Sequence, residues 1–246
     1  LNRLRRSLIT SALLAPLAPR ALAEVLALRP LAPGPSPVAL EPAAAERAFR
    51  SLHEATAEWL AARHDAELDQ VVAEWPTAFT LRETVARTLP VLRYWPDVLR
   101  LAPADTRAWV TQLDGVVRSL AWRQTYAAAD VPGEFLDRYG YSEFIGLQGA
   151  VPSERLAVGV LLLGPGVLYP RHRHEADELY VPLSGHAEWQ QGDAPWRRVE
   201  PGRVLHHPSE APHAMRTLNE PLLALYVWRT RDLSQHARFD PPLQRR

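Results

Sequence analysis

The 246-residue sequence predicts a mainly β protein with α content: a C-terminal β-barrel preceded by an α-helical region. Two observations carry that expectation. Residues 43–75 are rich in helix formers and contain neither proline nor glycine. From about Leu156 the chain changes to short runs such as "LAVGVLLLG", "ELYVPLSG" and "PLLALYVW", broken by Pro and Gly. Many short strands at near-regular spacing point to a sandwich or barrel. The expected organisation is a signal-like or disordered segment with a proline-rich linker (1–42), a helical region (43–135) and a barrel (136–246).

The first segment has the shape of a secretory leader. Arg3, Arg5 and Arg6 precede the apolar run Leu8–Ala18, and "RALAE" follows with Ala21 and Ala23 as small residues. Two locations stay open: the cytoplasm, or the periplasm if the leader is used. No apolar run reaches the ~18 residues of a membrane span. "RPLAPGPSPVALEP" holds five prolines and reads as an extended linker. Three helical stretches are then expected: residues 43–75, a second near Leu81–Leu89, and a third after "PADT". In the third, Trp109, Leu113, Val116, Val117 and Leu120 share one face and read as core.

Composition narrows the chemistry. Lys plus Arg and Asp plus Glu both number 28, so net charge does not drive binding to nucleic acid or a membrane surface. Nor is there a basic helix-turn-helix pattern. The chain has no cysteine, so disulfides and thiolate ligands are excluded. A metal would have to use His, Asp, Glu, Tyr or water.

Six of the nine histidines lie between 172 and 213. His172, His174, Glu178 and Tyr180 are all even-numbered, so on one extended strand they project from one face. Two imidazoles and a carboxylate form most of a divalent metal site, and His213 in "PSEAPHAM" is the best fourth ligand. The ion expected is Zn, Fe, Mn, Ni or Co; these ligands do not choose among them. His206 and His207 are weaker candidates, and His186 is expected at the surface. Beside such a cation a phenol moves toward neutral pKa, so Tyr180 is expected to ligate the metal or act as a general base. In "PLLALYVWR", Ala224, Tyr226 and Trp228 share one face, and Leu223, Leu225 and Val227 the other. Spacing leaves open which face looks into the barrel.

Gly166, His172, His174, Glu178 and Gly185, then Gly202, Pro208 and His213, resemble the two signature motifs of the cupin superfamily. The second motif departs at Glu210 and Thr217, where glycine and asparagine are usual. "YPRHRHEADELYVPLSGHAEWQQG", "PGRVLHHPSEAPHAMRT", "PLLALYVWR" and "YGYSEFIGLQG" resemble the cupin-type dimethylsulfoniopropionate (DMSP) lyase family. The resemblance implies a cupin double-stranded β-barrel and a β-elimination giving acrylate and dimethyl sulfide. It implies a metal held at His174, Glu178 and His213, with His172 beside it. Tyr180 would be the base, Tyr169 a substrate-holding residue, and Trp228 a pocket wall. Trp228 or Trp189 would face the sulfonium, with Tyr226 in the same wall if its face looks inward. The implied partner is a small organic acid, and two copies pairing through sheet edges is a further expectation. Two alternatives accompany this reading: an oxygenase or isomerase acting on another small acid, and a binding cupin without turnover.

Overall fold

The computed structural model describes residues 40–131 and 133–240. The leader-like segment and most of the proline-rich linker lie outside them. No helix among the described residues is long and apolar enough to cross a membrane.

The first helical run is two helices, α1 (Pro42–Ala61) and α2 (Ala66–Ala73). His64 sits at φ 51, and the Asp65 carboxylate accepts the N–H groups of Glu67 and Leu68. A left-handed residue followed by an N-cap ends one helix and starts the next, which helix propensity alone does not reveal. The stretch expected as a second helix, Leu81–Leu89, is not helical. Its backbone groups bond to other segments: Arg82 N–H to Ala150, Arg87 N–H to Leu120, and Trp122 N–H to the Arg87 carbonyl. A 3-10 turn (Pro90–Tyr94) leads instead into α3 (Trp95–Leu101). The third expected stretch forms α4 (Ala104–Asp114) and ends at Gly115, although Val116, Val117 and Leu120 remain buried. A short α5 (Gly133–Asp137) precedes the strands.

Two sheets face each other. In one, β1 (Tyr139–Gly146) pairs with β2 (Val151–Pro152) and β3 (Leu156–Leu163). That sheet continues through β10 (Leu222–Arg229), β5 (Asp177–Ser184) and β8 (Leu205–His207). The other has the order β11 (Arg238–Phe239), β4 (Leu168–Arg173), β9 (His213–Thr217), β6 (Ala187–Gln191), β7 (Arg197–Val199). All pairings between these strands are antiparallel except β1 with β2.

The six-stranded sheet has two buried faces. Val158, Val160, Leu162, Val181, Leu223 and Leu225 pack outward against the helices. Thr106 Oγ1 and Ser184 Oγ fix that layer by donating to the carbonyls of Leu183 and Val98, each at 2.6 Å. Each such buried aliphatic side chain contributes about 1.5–3 kcal/mol. The alternate residues Leu161, Leu163, Tyr180, Ala224 and Tyr226 look inward, toward Tyr169, Met215 and Trp189 of the second sheet. This answers the question spacing left open: the aromatic face of β10 is the inner one.

Candidate metal centre

The stretch from His172 to Tyr180 is not one extended strand. His172 lies in β4, of the five-stranded sheet, and Glu178 and Tyr180 in β5, of the six-stranded sheet. His174 is in the turn that carries the chain across. The four even-numbered side chains still converge, because the inner faces of both sheets bound one interior.

A potential ligand atom from each of His172, His174, Glu178 and His213 lies within 4.8 Å of all the others. All four side chains are at most 2% exposed. Each imidazole has its Nδ1 against a backbone carbonyl: His172 on Pro170 (2.8 Å), His174 on Ala176 (2.9 Å), His213 on Ala211 (2.9 Å). A carbonyl only accepts, so each Nδ1 carries the hydrogen. In the neutral tautomer each Nε2 then presents a lone pair, the form in which histidine binds metals. Nε2 of His174 and of His213 lie 2.9 and 3.0 Å from the same oxygen, Oε2 of Glu178. The His213 contact lacks hydrogen-bond geometry, and among the described residues its Nε2 has no other partner. A proton can bridge His174 Nε2 and Glu178 Oε2, but the His213 lone pair and the carboxylate still face one another. A cation between them would satisfy both, so this group can hold a metal ion.

The charges agree. Burial would raise the Glu178 carboxyl, but His174 and His213 outweigh it and hold it well below the usual carboxylate range. Burial, and then His213, keep His172 well below the usual imidazole range, so it stays neutral and available. Burial opposes charge on His174, yet Glu178 raises its pKa on balance.

A cavity of about 710 Å³ opens on this centre and is lined by Glu178, Tyr180, Tyr169, Tyr226, Trp228 and Glu143, among others. Trp228 donates its indole N–H to Glu178 Oε1 at 2.6 Å, and its ring lies tilted against that of His174 with centroids 4.2 Å apart. Tyr169 is odd-numbered and would face away from His172 on a regular strand. The register between β4 and β9 shifts between Tyr169 and His172, adding one residue. That bulge turns Tyr169 inward, with its ring 4.6 Å from that of His172. Its hydroxyl is 2.9 Å from that of Tyr126, whose pKa burial pushes up to about 12. Burial, and then Glu178, also raise the Tyr180 phenol. Trp189 is buried but is not among the lining residues; its ring lies 4.9 Å from that of Tyr180.

Of the remaining histidines, His207 faces inward and stacks on His213 at 4.2 Å, whereas His206 points outward to Asp177 at 2.7 Å. His186 is half-buried between Glu200 and Glu220. Sequence reasoning passed over Tyr126 and Glu143. Tyr126 lies outside any helix or strand and gives no periodic signal. Glu143 shares its parity with Tyr139 and Tyr141, and that pattern was available.

Comparison with known proteins agrees with the geometry. A profile of the DMSP lyase family matches residues 63–224. Dimethylsulfoniopropionate lyase DddQ of Ruegeria pomeroyi is 41% identical over 134 residues, which are 54% of this chain and 65% of that protein. The match therefore spans just under two thirds of the curated relative. The crystal structure of DMSP lyase DddQ from the same organism superposes with a TM-score of 0.73 at 32% identity, covering 81% of this chain and 99% of the other. A chain from the crystal structures of the DMSP lyases RdDddP and RnDddQII gives 0.70 at 32%, covering 79% and 98%. The expected cupin barrel with helices ahead of it is the fold observed, and the chain belongs to the DMSP lyase family.

Proposed function

We propose that this chain is a metal-dependent carbon–sulfur lyase that converts DMSP to acrylate and dimethyl sulfide, with Tyr180 as general base. One observation carries the reading: Tyr180, Tyr169 and Trp228 line the same cavity that opens on the Glu178 centre. His172, His174, Glu178 and His213 would hold the ion. A divalent ion there supplies positive charge for a substrate carboxylate and for the enolate-like charge that develops, and favours the phenolate of Tyr180.

The chain's own groups do the rest. Tyr169, braced by Tyr126, offers a hydroxyl to the substrate carboxylate. The Tyr180 oxygen takes the proton from the carbon next to that carboxylate. The C–H electron pair becomes the carbon–carbon double bond, and the C–S bond breaks with its pair leaving on sulfur. Acrylate, dimethyl sulfide and a protonated Tyr180 result. Dimethyl sulfide leaves neutral, so no acid is needed. Trp228 and Tyr226 place π faces where a sulfonium can rest. Tyr180 is 5% exposed and Tyr169 6%, so their contact with bulk water is small.

Headspace chromatography tests this. The metal-loaded protein is expected to release dimethyl sulfide from DMSP, and Tyr180→Phe to lose about 10²–10⁴ of the rate, the usual range for a general base. No release with any divalent metal would remove the substrate assignment. Oxygen uptake with iron would move the reading to an oxygenase.

A further inference from the structure

We propose that Glu143 is the counter-ion for the cationic end of the substrate: with Tyr141 and Tyr226 it forms an anionic, aromatic subsite across the cavity from the metal centre. This rests on the reading of the cavity as a site for a zwitterionic acid, and it adds a residue to which neither the sequence motifs nor that reading gives a role.

Register places it. Glu143 on β1 pairs with Gly159 on β3, Gly159 with Tyr226 on β10, and Tyr226 with Tyr180 on β5. One row of the sheet therefore runs from Glu143 to Tyr180, three inter-strand steps of about 4.8 Å apart. The inner position between Glu143 and Tyr226 is a glycine because a Cβ there would run into the Ser142 carbonyl oxygen and, beyond it, the Tyr226 ring. A Cβ on Gly159 would lie 2.8 Å from Cε1 and from the hydroxyl of Tyr226. The phenol ring thus leans along the row toward Glu143. Tyr141, two residues before Glu143 and on the same face, meets the Tyr226 ring edge-on at 6.3 Å.

The carboxylate is held, and part of it is unspent. Oε1 accepts the backbone N–H groups of Gln148 (2.6 Å) and Gly149 (2.9 Å). Gly146 makes room for it at φ +139: a Cβ there would stand 2.5 Å from Oε1. Among the described residues Oε2 has no hydrogen-bond partner, yet it is not sealed from solvent. Arg123 and Arg82 act on the group through space, without a hydrogen bond to it. Burial raises the carboxyl, and a cation in the cavity is the charge that would favour its ionised form. A sulfonium has no N–H to donate, so a carboxylate framed by phenol rings suits it better than a ring of acceptors. A substrate with its carboxylate at the metal end would carry its sulfonium toward this wall.

Titration calorimetry with two unreactive probes tests the subsite: β-alanine betaine, and the carboxylate of the same shape in which a carbon replaces its quaternary nitrogen. The metal-loaded protein is expected to bind the betaine about tenfold or more tighter than its uncharged isostere. Glu143→Gln retains an oxygen for the two backbone N–H groups, so the 147–149 turn keeps its anchor. It should lower the betaine-to-isostere ratio about tenfold and leave isostere affinity unchanged. Tyr141→Leu, which leaves that turn alone, should lower the same ratio by a smaller factor. An unchanged ratio in both variants, or equal weakening of both probes, would overturn the proposal; the group would then serve only the turn or balance Arg123. Dimethyl sulfide release by the parent together with an unchanged ratio in Glu143→Gln overturns the subsite alone. A ratio abolished by Glu143→Gln in a protein that releases no dimethyl sulfide keeps the cation subsite and removes the lyase reading.

Discussion

The two faces of strand β10 sit one residue apart and do different work. Leu223, Leu225 and Val227 point outward into a core of aliphatic residues and tryptophans shared with the helices. Ala224, Tyr226 and Trp228 point inward among phenols, near buried imidazoles and Glu178. Along Leu223, Leu225 and Val227 the outer face loses water without burying a polar side chain, so its burial translates into stability. The polar Arg229 at its end pairs with Glu67 and Asp177. The inner face places titratable groups in a low-dielectric interior, which costs stability unless a ligand or ion completes it. Substitutions on the two faces should therefore separate into effects on activity and effects on folding. The largest separation is expected at Tyr180: Tyr180→Phe should lose about 10²–10⁴ in rate while its thermal midpoint stays close to that of the parent. A fall in rate matched by a fall in midpoint would erase the distinction.

The cost of the inner face should be visible as pH dependence. His207 is 1% exposed, and among the described residues neither of its ring nitrogens has a partner. Burial, and then His213, hold its pKa down at about 3, against 6.5 for a free imidazole. Between those values the unfolded chain binds a proton that the folded chain does not. Stability must therefore fall as pH drops from about 6.5 toward 3, by about 1.4 kcal/mol per unit from this residue. Thermal midpoints of metal-stripped protein across that window should show the slope. His207→Phe, which keeps a ring against His213, should flatten it without abolishing it, because His172 is depressed by the same causes. An unaltered slope would mean that His207 finds a proton or a partner in the folded protein.

The outer face makes the opposite prediction at a somewhat smaller size. Leu225 is fully buried, and Leu225→Ala should cost about 2–5 kcal/mol of stability, measured by urea unfolding. Metal content and dimethyl sulfide release per folded molecule should be unchanged. Loss of metal in that variant would show that the helical layer sets the ligand geometry as well as the stability of the sheet.

These contrasts also explain what could be read from the sequence. Parity brought His172, His174, Glu178 and Tyr180 together although they span two strands in different sheets, because parity is indifferent to which sheet a strand joins if both line one interior. It could not place Tyr169, since a one-residue bulge reverses parity and leaves no compositional mark. The two sides of β10 were visible, but not which was inner: both are apolar enough to be buried, and only the helices decide. Those helices were the least legible part. The break at His64 is set by backbone conformation and a cap, and Leu81–Leu89 gives up its helix to hydrogen bonds with segments distant in sequence. Glu143 shares its parity with Tyr139 and Tyr141, but a lone carboxylate in a strand reads as solvent-facing, and the register that sets it opposite Gly159 is what gives that parity a meaning.

The smallest effect should come from Trp228, where the inner face meets the proposed metal ligands. Its indole N–H donates to Glu178 Oε1 at 2.6 Å, a charge-assisted bond that orients the carboxylate. Trp228→Phe keeps an aromatic ring beside His174 and a π face for a cation, and removes only the donor. The carboxylate still faces His174 and His213 through its other oxygen, so the site should form. Metal affinity is expected to weaken about tenfold, as for other residues that orient a ligand, corresponding to roughly 1.4 kcal/mol. Competition with a chelator measures it directly, and the unfolding midpoint of the metal-stripped protein should barely move. If affinity holds and only the Michaelis constant for DMSP rises, Trp228 serves the substrate and not the ion. If the metal-stripped protein is destabilised as much as by Leu225→Ala, the inner end of β10 is ordinary core, and the division between its two faces fails at that position.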